Sequence, residues 1–435
     1  MLYELYSSVT QLGPMASAVV LSLCLVLVFK GRPEIAAALY LTIRAYGDHT
    51  WTIGGIAQTW IFLATMLGAA FVFYVKRNNF QWPANNRWIV PWLLSWWIWS
   101  SCLLFLNGSG LNKHLLKGFI LWTLIPLPVM LVWLQKIERV ASFSKAYVIG
   151  TMLGGFWLLR YISAECPSLM INPLIGAYGG GRLPIVNYHA FAYSYGISVV
   201  MLIGLFQLTK SRIMRGIYVC SIIYCFYFLY FSISRQTFAA TVMVSILYLY
   251  WLLSRKYSLK DNSKLTSKIW IFMLLAIGAY SLFVFYHNSS VSFLRYSETM
   301  GEVASTMGIA DRREFWVKAV QAIFDSYFVG TAYETGNVHN IFLSVLANEG
   351  MLGFIFMIGF LGFGFIQIRN VFIVSEFSEV SVWRMAFASA FISTLIHSQY
   401  SGDNISAPEL FWAVLVLWYL NKGFDKKRLK NNEKA

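Results

Sequence analysis

The chain has 435 residues, of which 58% are hydrophobic and 12% charged, and a formal net charge of +15. Soluble domains carry about a quarter charged residues, and several apolar runs here reach or approach the ~18 residues that cross a bilayer. Those properties exclude a soluble enzyme with one anchor and predict an all-α, polytopic integral membrane protein.

In chain order, apolar runs read against basic clusters give about thirteen candidate spans. They fall near 15–29, 34–46, 55–75, 88–106, 115–134, 146–160, 188–208, 215–233, 237–253, 268–286, 342–368, 382–398 and 407–420, an expectation of about 12–13 transmembrane helices. The first run has no basic residue before it and no small-residue cleavage site after it, which makes it a retained span and not a cleaved signal. The five cysteines show no CxxC spacing, so neither a disulfide framework nor a zinc site is expected.

With the N-terminus placed outside, Lys30/Arg32, Lys76/Arg77/Arg87, Lys136/Arg139/Lys145, Lys210/Arg212/Arg215, Arg255 to Lys268, Arg369/Arg384 and the tail from Lys422 all fall on one side. That side is the cytoplasm. The net charge is therefore an orientation signal, and no nucleic acid is implied. The remaining Lys and Arg are Arg44, Lys113, Lys117, Arg160, Arg182, Arg235, Arg295, Arg312, Arg313 and Lys318. They lie on the outer side, where the orientation rule gives them no reason to be, and all six histidines fall there too. Any chemistry is expected to face outward.

Two outer loops are long enough to build something, 161–187 and 287–341. In the second, "DRREFWVKAVQAIF" reads as an amphipathic helix with Asp311 as N-cap and Glu314 completing a capping box. Trp316, Val320, Ile323 and Phe324 would share its face. The loop ends in "GNVHNIFLSVLANEGMLG". From His339 to Gly350 is about three helical turns, so the two share a face with Leu343 and Leu346, and Gly350 would permit close helix approach. His339 can be an interfacial residue capping the helix or a general base at the mouth of a cavity. Glu349, about 15 Å deeper along a straight helix, reads as a buried structural carboxyl. Arg235, in "SISRQTFAA", can snorkel to the interface or clamp a phosphate in bidentate fashion. Arg182 follows Gly179–Gly181 in the first outer loop, with no strand-turn-helix context for a nucleotide fingerprint.

The chain contains no P-loop, no HExxH and no Cys/His cluster at zinc spacing. No pair of acids stands ready to hold a divalent metal near the outer side, so an anion there would be neutralised by arginine and lysine. A transporter remains an alternative, although carboxylates within the spans are confined to Glu349 and the flanking Glu34 and Glu409.

The block "DRREFWVKAVQAIF … FVGTAYETGNVHNIFLSVLANEGMLGF" resembles the O-antigen ligase and polymerase superfamily of membrane glycosyltransferases. Arg312 and Trp316 match its Arg-x-x-x-Trp, Gly330 its loop glycine, and His339–Asn340 with Glu349–Gly350 its closing motif. "SRQTFAA" is similar to its Ser-Arg motif, although the family's Arg-x-x-x-Leu form has leucine where this chain has Ala239. "GGGRLPIVNYHAFA" is similar to its glycine-arginine loop. The recognisable block covers roughly residues 180–355.

The resemblance implies a metal-independent, inverting transfer that needs no cofactor. Glycan would pass from an undecaprenyl-diphosphate-linked donor to an acceptor sugar hydroxyl on the periplasmic face of a bacterial inner membrane. His339 would be the catalytic base, Arg182, Arg235 and Arg312 the diphosphate ligands, and Asn340, Trp316 and Gly350 supporting residues. A polymerase would extend a second lipid-linked repeat unit, working beside a chain-length regulator; a ligase would load lipid A–core. The expected organisation is an N-terminal helical part (1–160), a core with its periplasmic loops (161–341), C-terminal helices (342–421) and a basic cytoplasmic tail (422–435).

Overall fold

The computed structural model describes residues 22–43, 52–53, 56–57, 88–106, 134, 136–165, 188–231, 235–256, 307–331, 340–373, 377–401 and 408–432. They are helical apart from turns and one small antiparallel strand pair. The elements are α1 (Pro33–Ile43), β1 (Thr52–Ile53), β2 (Ile56–Ala57), α2 (Ile89–Leu106), α3 (Ile137–Glu165), α4 (Tyr188–Leu208), α5 (Arg212–Phe231), α6 (Arg235–Lys256), α7 (Met307–Asp325), α8 (Ile341–Ile373), α9 (Glu379–Ser401) and α10 (Pro408–Asn432). Five helices are long and apolar enough to cross a membrane, those over Ile89–Leu106, Arg212–Leu229, Thr237–Arg255, Ile341–Phe372 and Glu379–Ser398. The chain is an all-α polytopic membrane protein.

Helix-ending chemistry explains the first turn. Residues 22–29 are helical, and Gly31 then takes φ +73°. The Gly31 N–H donates to the Val28 carbonyl and the Arg32 N–H to that of Leu27, at 2.9 and 2.8 Å. This is the bonding of a Schellman cap, which glycine terminates without a Cβ penalty. The strands pair Thr52 with Ala57 and Ile53 with Ile56, with Gly54–Gly55 between them, the dipeptide that suits a two-residue hairpin. Ile56 and Ala57, expected within a span starting near 55, are therefore strand residues. The rest of that run, and the spans expected over 115–134 (apart from Leu134) and 268–286, lie outside the described residues.

Elsewhere the apolar runs mark helices whose ends extend beyond them. α4 coincides with the run over 188–208. α3 starts at Ile137, well before the expected 146, so Arg139 and Lys145 are helical residues and not loop. α10 continues to Asn432, so most of the expected basic tail is a helical extension. In both cases Lys, Arg and Glu are good helix formers, and they prolong a helix past its apolar segment. Likewise α7 begins at Met307, four residues before Asp311, so Asp311 is not its N-cap.

The helices pack around α9, which lies against α3, α4, α6, α8 and α10. Its membrane-length window is 78% buried, against 22% for α5, which is peripheral. Side-chain contacts set the directions. The Arg255 Nη2 donates to the Phe372 carbonyl at 2.5 Å, so α6 and α8 run parallel. The Tyr248 hydroxyl donates to the Val382 carbonyl at 2.7 Å, while Thr237 meets His397, so α9 runs the other way. One end of the bundle therefore holds the starts of α4, α6 and α8 with the finish of α9. The opposite end holds Lys210, Arg212, Arg255 and Arg369.

Lipid offers no hydrophobic drive between helices, so dispersion and interhelical hydrogen bonds hold them together. Trp412, 2% exposed, meets Phe143, Tyr147 and Phe387 with ring centroids 5.6, 5.9 and 6.0 Å away. Arg384, expected only as an orientation charge, is 6% exposed. Its Nε and Nη2 both donate to the Leu420 carbonyl, at 2.9 and 2.6 Å. Trp412→Ala opens a cavity where α3, α9 and α10 meet and is expected to cost about 3–5 kcal/mol. The check is a lowered thermal midpoint for purified protein in detergent.

Candidate functional site

The feature that organises the end of the bundle where α6 and α8 start is a break in α8. Asn340 caps the helix: its Oδ1 accepts the backbone N–H groups of Phe342 and Leu343 at 3.0 and 3.1 Å. The capping role considered for His339 is thus filled by its neighbour, whose Oδ1 is engaged by the helix. Ten residues after Asn340, about 15 Å along a helix axis, Gly350 takes φ +71° and ψ −167°. That backbone region is essentially closed to other residues. The expectation of a straight face from His339 to Gly350, with Gly350 as a packing seam, is corrected here: Gly350 interrupts the helix.

A break within a membrane helix frees backbone groups that lipid cannot satisfy. The groups one turn apart across this break are the Met351 N–H and the Ala347 carbonyl, and the turn after α7 takes up both. Met351 donates to the Phe328 carbonyl and Thr331 donates to the Ala347 carbonyl, each at 2.8 Å. To reach them the turn puts Tyr327, Phe328 and Gly330 at φ +50°, +61° and +103°. A Cβ on Gly330 would come within 2.6 Å of the Gly350 nitrogen, and one on Gly350 would overlap the Val329 carbonyl. The two glycines are a matched pair across this clasp.

From the other side α2 braces the break. The Glu349 side chain is fully buried. Its Oε2 accepts from Trp96 Nε1 at 2.7 Å and from the Ser100 hydroxyl at 2.9 Å. Trp99 Nε1 donates to the Glu349 carbonyl at 2.9 Å. Gly353, one turn on, makes room, since a Cβ there would lie 2.7 Å from the same Oε2. The expectation of a buried, structural Glu349 is borne out, and its partners are two α2 side chains from a run that reads only as apolar.

α7 lies along the first part of α8 through Ala319 and Ile323, which pack with Ala347, Leu343 and Leu346. Of the face expected to be shared, Ile323 is buried, whereas Val320 and Phe324 are 42% and 62% exposed and Trp316 is 36% exposed. The contact with α8 is made by Ala319 and Ile323, one turn apart. Arg312 belongs to the end of α7 remote from the break, and its side chain lies outside the described residues. Arg235 is the first residue of α6. Its register position is 200° round from Thr237, and its side chain lies outside the described residues. α9 lies against both α6 and α8. Arg182 and His339 lie outside the described residues.

A second cluster at this end was not foreseen. His397, fully buried, meets the Thr237 hydroxyl through Nδ1. Its ring lies on that of Tyr193, with centroids 4.0 Å apart, and the Tyr193 hydroxyl is 3.3 Å from the Ser398 hydroxyl. The only sequence signal was a histidine inside a membrane-length run, which marks a residue for attention but names no partner. No group of three or more potential metal ligands gathers among the described residues.

No family model matches the chain. It is similar to a protein from Metridium senile described as NADH-ubiquinone oxidoreductase chain 4, 26% identical over 178 residues. That stretch covers 39% of this chain and 35% of the relative's length.

Two measurements test the site's architecture. Gly350→Ala adds strain of about 1–3 kcal/mol to a clash with the Val329 carbonyl. It is expected to lower the thermal midpoint sharply, whereas Gly362→Ala, with nothing within 4 Å of the added Cβ, leaves it unchanged. Glu349→Gln keeps an oxygen acceptor for Trp96 and Ser100, so it should fold nearly as well as the native chain. Glu349→Leu orphans both donors, with an expected loss of about 1–3 kcal/mol measurable in the same unfolding assay.

Proposed function

We propose that the chain is a membrane glycosyltransferase of surface-polysaccharide assembly, an O-antigen repeat-unit polymerase of a bacterial inner membrane with its site on the periplasmic face. What supports this reading, beside the resemblance, is that two of the family-like motifs stand at helix starts on one end of the bundle. The start of α6 with Arg235 and the Asn340 cap that directly follows His339 share that end, opposite Lys210, Arg212, Arg255 and Arg369. Those cations are the ones that orient a chain toward the cytoplasm.

In the proposed mechanism the undecaprenyl chain of the donor lies in lipid and its diphosphate sits at the outer end. Arg182, Arg235 and Arg312 neutralise the diphosphate and the charge that grows on it as the sugar–phosphate bond breaks, an electrostatic stabilisation of the leaving group. His339 takes the proton of the acceptor hydroxyl, whose oxygen attacks the anomeric carbon from the face opposite the diphosphate. One C–O bond forms, one breaks, undecaprenyl diphosphate departs, and the anomeric configuration inverts. The arginines carry the charge, so no metal is called for. The break in α8 serves this scheme by fixing the short segment 341–349 behind His339–Asn340, which keeps the base on a rigid mount.

With a lipid A–core acceptor the same chemistry would make a ligase. A transport reading is favoured by a different observation, the interrupted α8 with a buried carboxyl beside the break, a construction transporters use. The test incubates purified protein with lipid-linked repeat unit in detergent, where no second compartment exists, with either more donor or core lipid added. Product with donor alone is the expected result, product only with core lipid assigns the ligase, and no product in either arm removes the transferase. His339→Ala is expected to abolish transfer while the protein still inserts and elutes as the native chain does; near-normal activity in that variant would overturn the base assignment.

A further inference from the structure

We infer that His397 is a positioning residue for Arg235, the pin that fixes how the first turn of α6 is rotated. The inference rests on the reading of Arg235 as a diphosphate ligand. A helix start is its least constrained turn, because its first N–H groups lack intrahelical partners. Arg235 is the first residue of α6, so its direction depends on whatever ties down the residues just after it. Thr237 is that tie. It is 1% exposed and its hydroxyl meets His397 Nδ1. With Thr237 held inward, position 235 is set 200° round the helix from it.

The same imidazole reaches a second segment. Tyr193, on whose ring it lies at 4.0 Å, stands in the second turn of α4, shortly after the 161–187 stretch that carries Arg182. The Tyr193 hydroxyl in turn faces Ser398 at 3.3 Å. α4 and α6 approach closely here, since a Cβ on Gly196 would lie 2.6 Å from the Thr241 hydroxyl oxygen. A histidine within a membrane-length helix is costly to bury and tends to be retained for a specific partner. Here it joins the first turn of α6, which begins with Arg235, and the second turn of α4, which follows the segment with Arg182, to the last turns of α9. A purely apolar contact would hold these helices together without fixing the rotation of either.

The test measures binding of undecaprenyl diphosphate to the purified full-length chain in nanodiscs, with undecaprenol as the control that lacks the diphosphate. A charge-assisted hydrogen bond is worth about ten- to a hundredfold in affinity. His397→Ala and the nearly isosteric Thr237→Val are each expected to weaken diphosphate-dependent binding by about tenfold or more. His397→Asn, which keeps a polar atom near the Nδ1 position, is expected to restore it. In an Arg235→Ala background neither change should weaken binding further, because the pin then has nothing to position. Native-like binding by both His397→Ala and Thr237→Val overturns the inference and leaves the functional reading intact. An equal loss in the Arg235→Ala background also overturns it, since His397 would then act on the fold and not on Arg235. If the native chain binds undecaprenyl diphosphate no better than undecaprenol, the functional reading fails and the inference falls with it.

Discussion

In a bilayer every backbone N–H and C=O away from water must find a protein partner, at a cost of several kcal/mol for each that does not. The break in α8 places that demand in the interior of a helix. Gly350 turns the chain, the turn after α7 takes the two freed backbone groups, and α2 takes the Glu349 carboxylate and carbonyl. Three elements distant in sequence are thereby fastened at one point. The strained turn at Tyr327 and Phe328 persists because its hydrogen bonds have no alternative in lipid, and α7 is held against α8 as a result.

The same economy governs the other buried polar groups. Arg384 satisfies the Leu420 carbonyl where the apolar part of α10 gives way to its charged extension. His397 joins α9 to α6 and α4. Each of these groups bridges helices, which suits an environment where dispersion alone distinguishes one helix packing from another. Arg384 does so near the start of α9 and His397 near its finish, so both ends of that helix are fixed by polar contacts; the proposed transfer would need such rigidity, since a displacement of about 1 Å can cost a hundredfold in rate.

Particular residues show how far the sequence could be read. The apolar runs located α2, α4, α6 and α9 because spans must be long and apolar, and the basic clusters sorted their ends. The end of α3 near Ile137 and the length of α10 were missed, since charged residues that form helices well are indistinguishable from loop in an apolarity profile. Gly350 drew notice as a small residue, yet spacing alone cannot tell a seam from a break. That distinction depends on the Val329 carbonyl standing where a Cβ would go. Glu349 was legible as a buried carboxyl, whereas Trp96 and Ser100 were not legible as its donors. Asn340, expected as a supporting residue, caps α8, a role that the spacing to the Phe342 and Leu343 N–H groups would have allowed. His397 carried no pattern at all, because its partners lie 160 and 204 positions away.

The sequence alone determined the class of protein and the position of most of the described helices. Those depend on local quantities: run length, side-chain polarity and the sign of flanking charge. Only the tertiary structure decided that α8 is broken, that the α7 turn and α2 close the break, and that a histidine of α9 meets Thr237 at the start of α6. These rest on which backbone and side-chain groups are brought within hydrogen-bonding distance across helices, and no local property of the chain encodes that proximity.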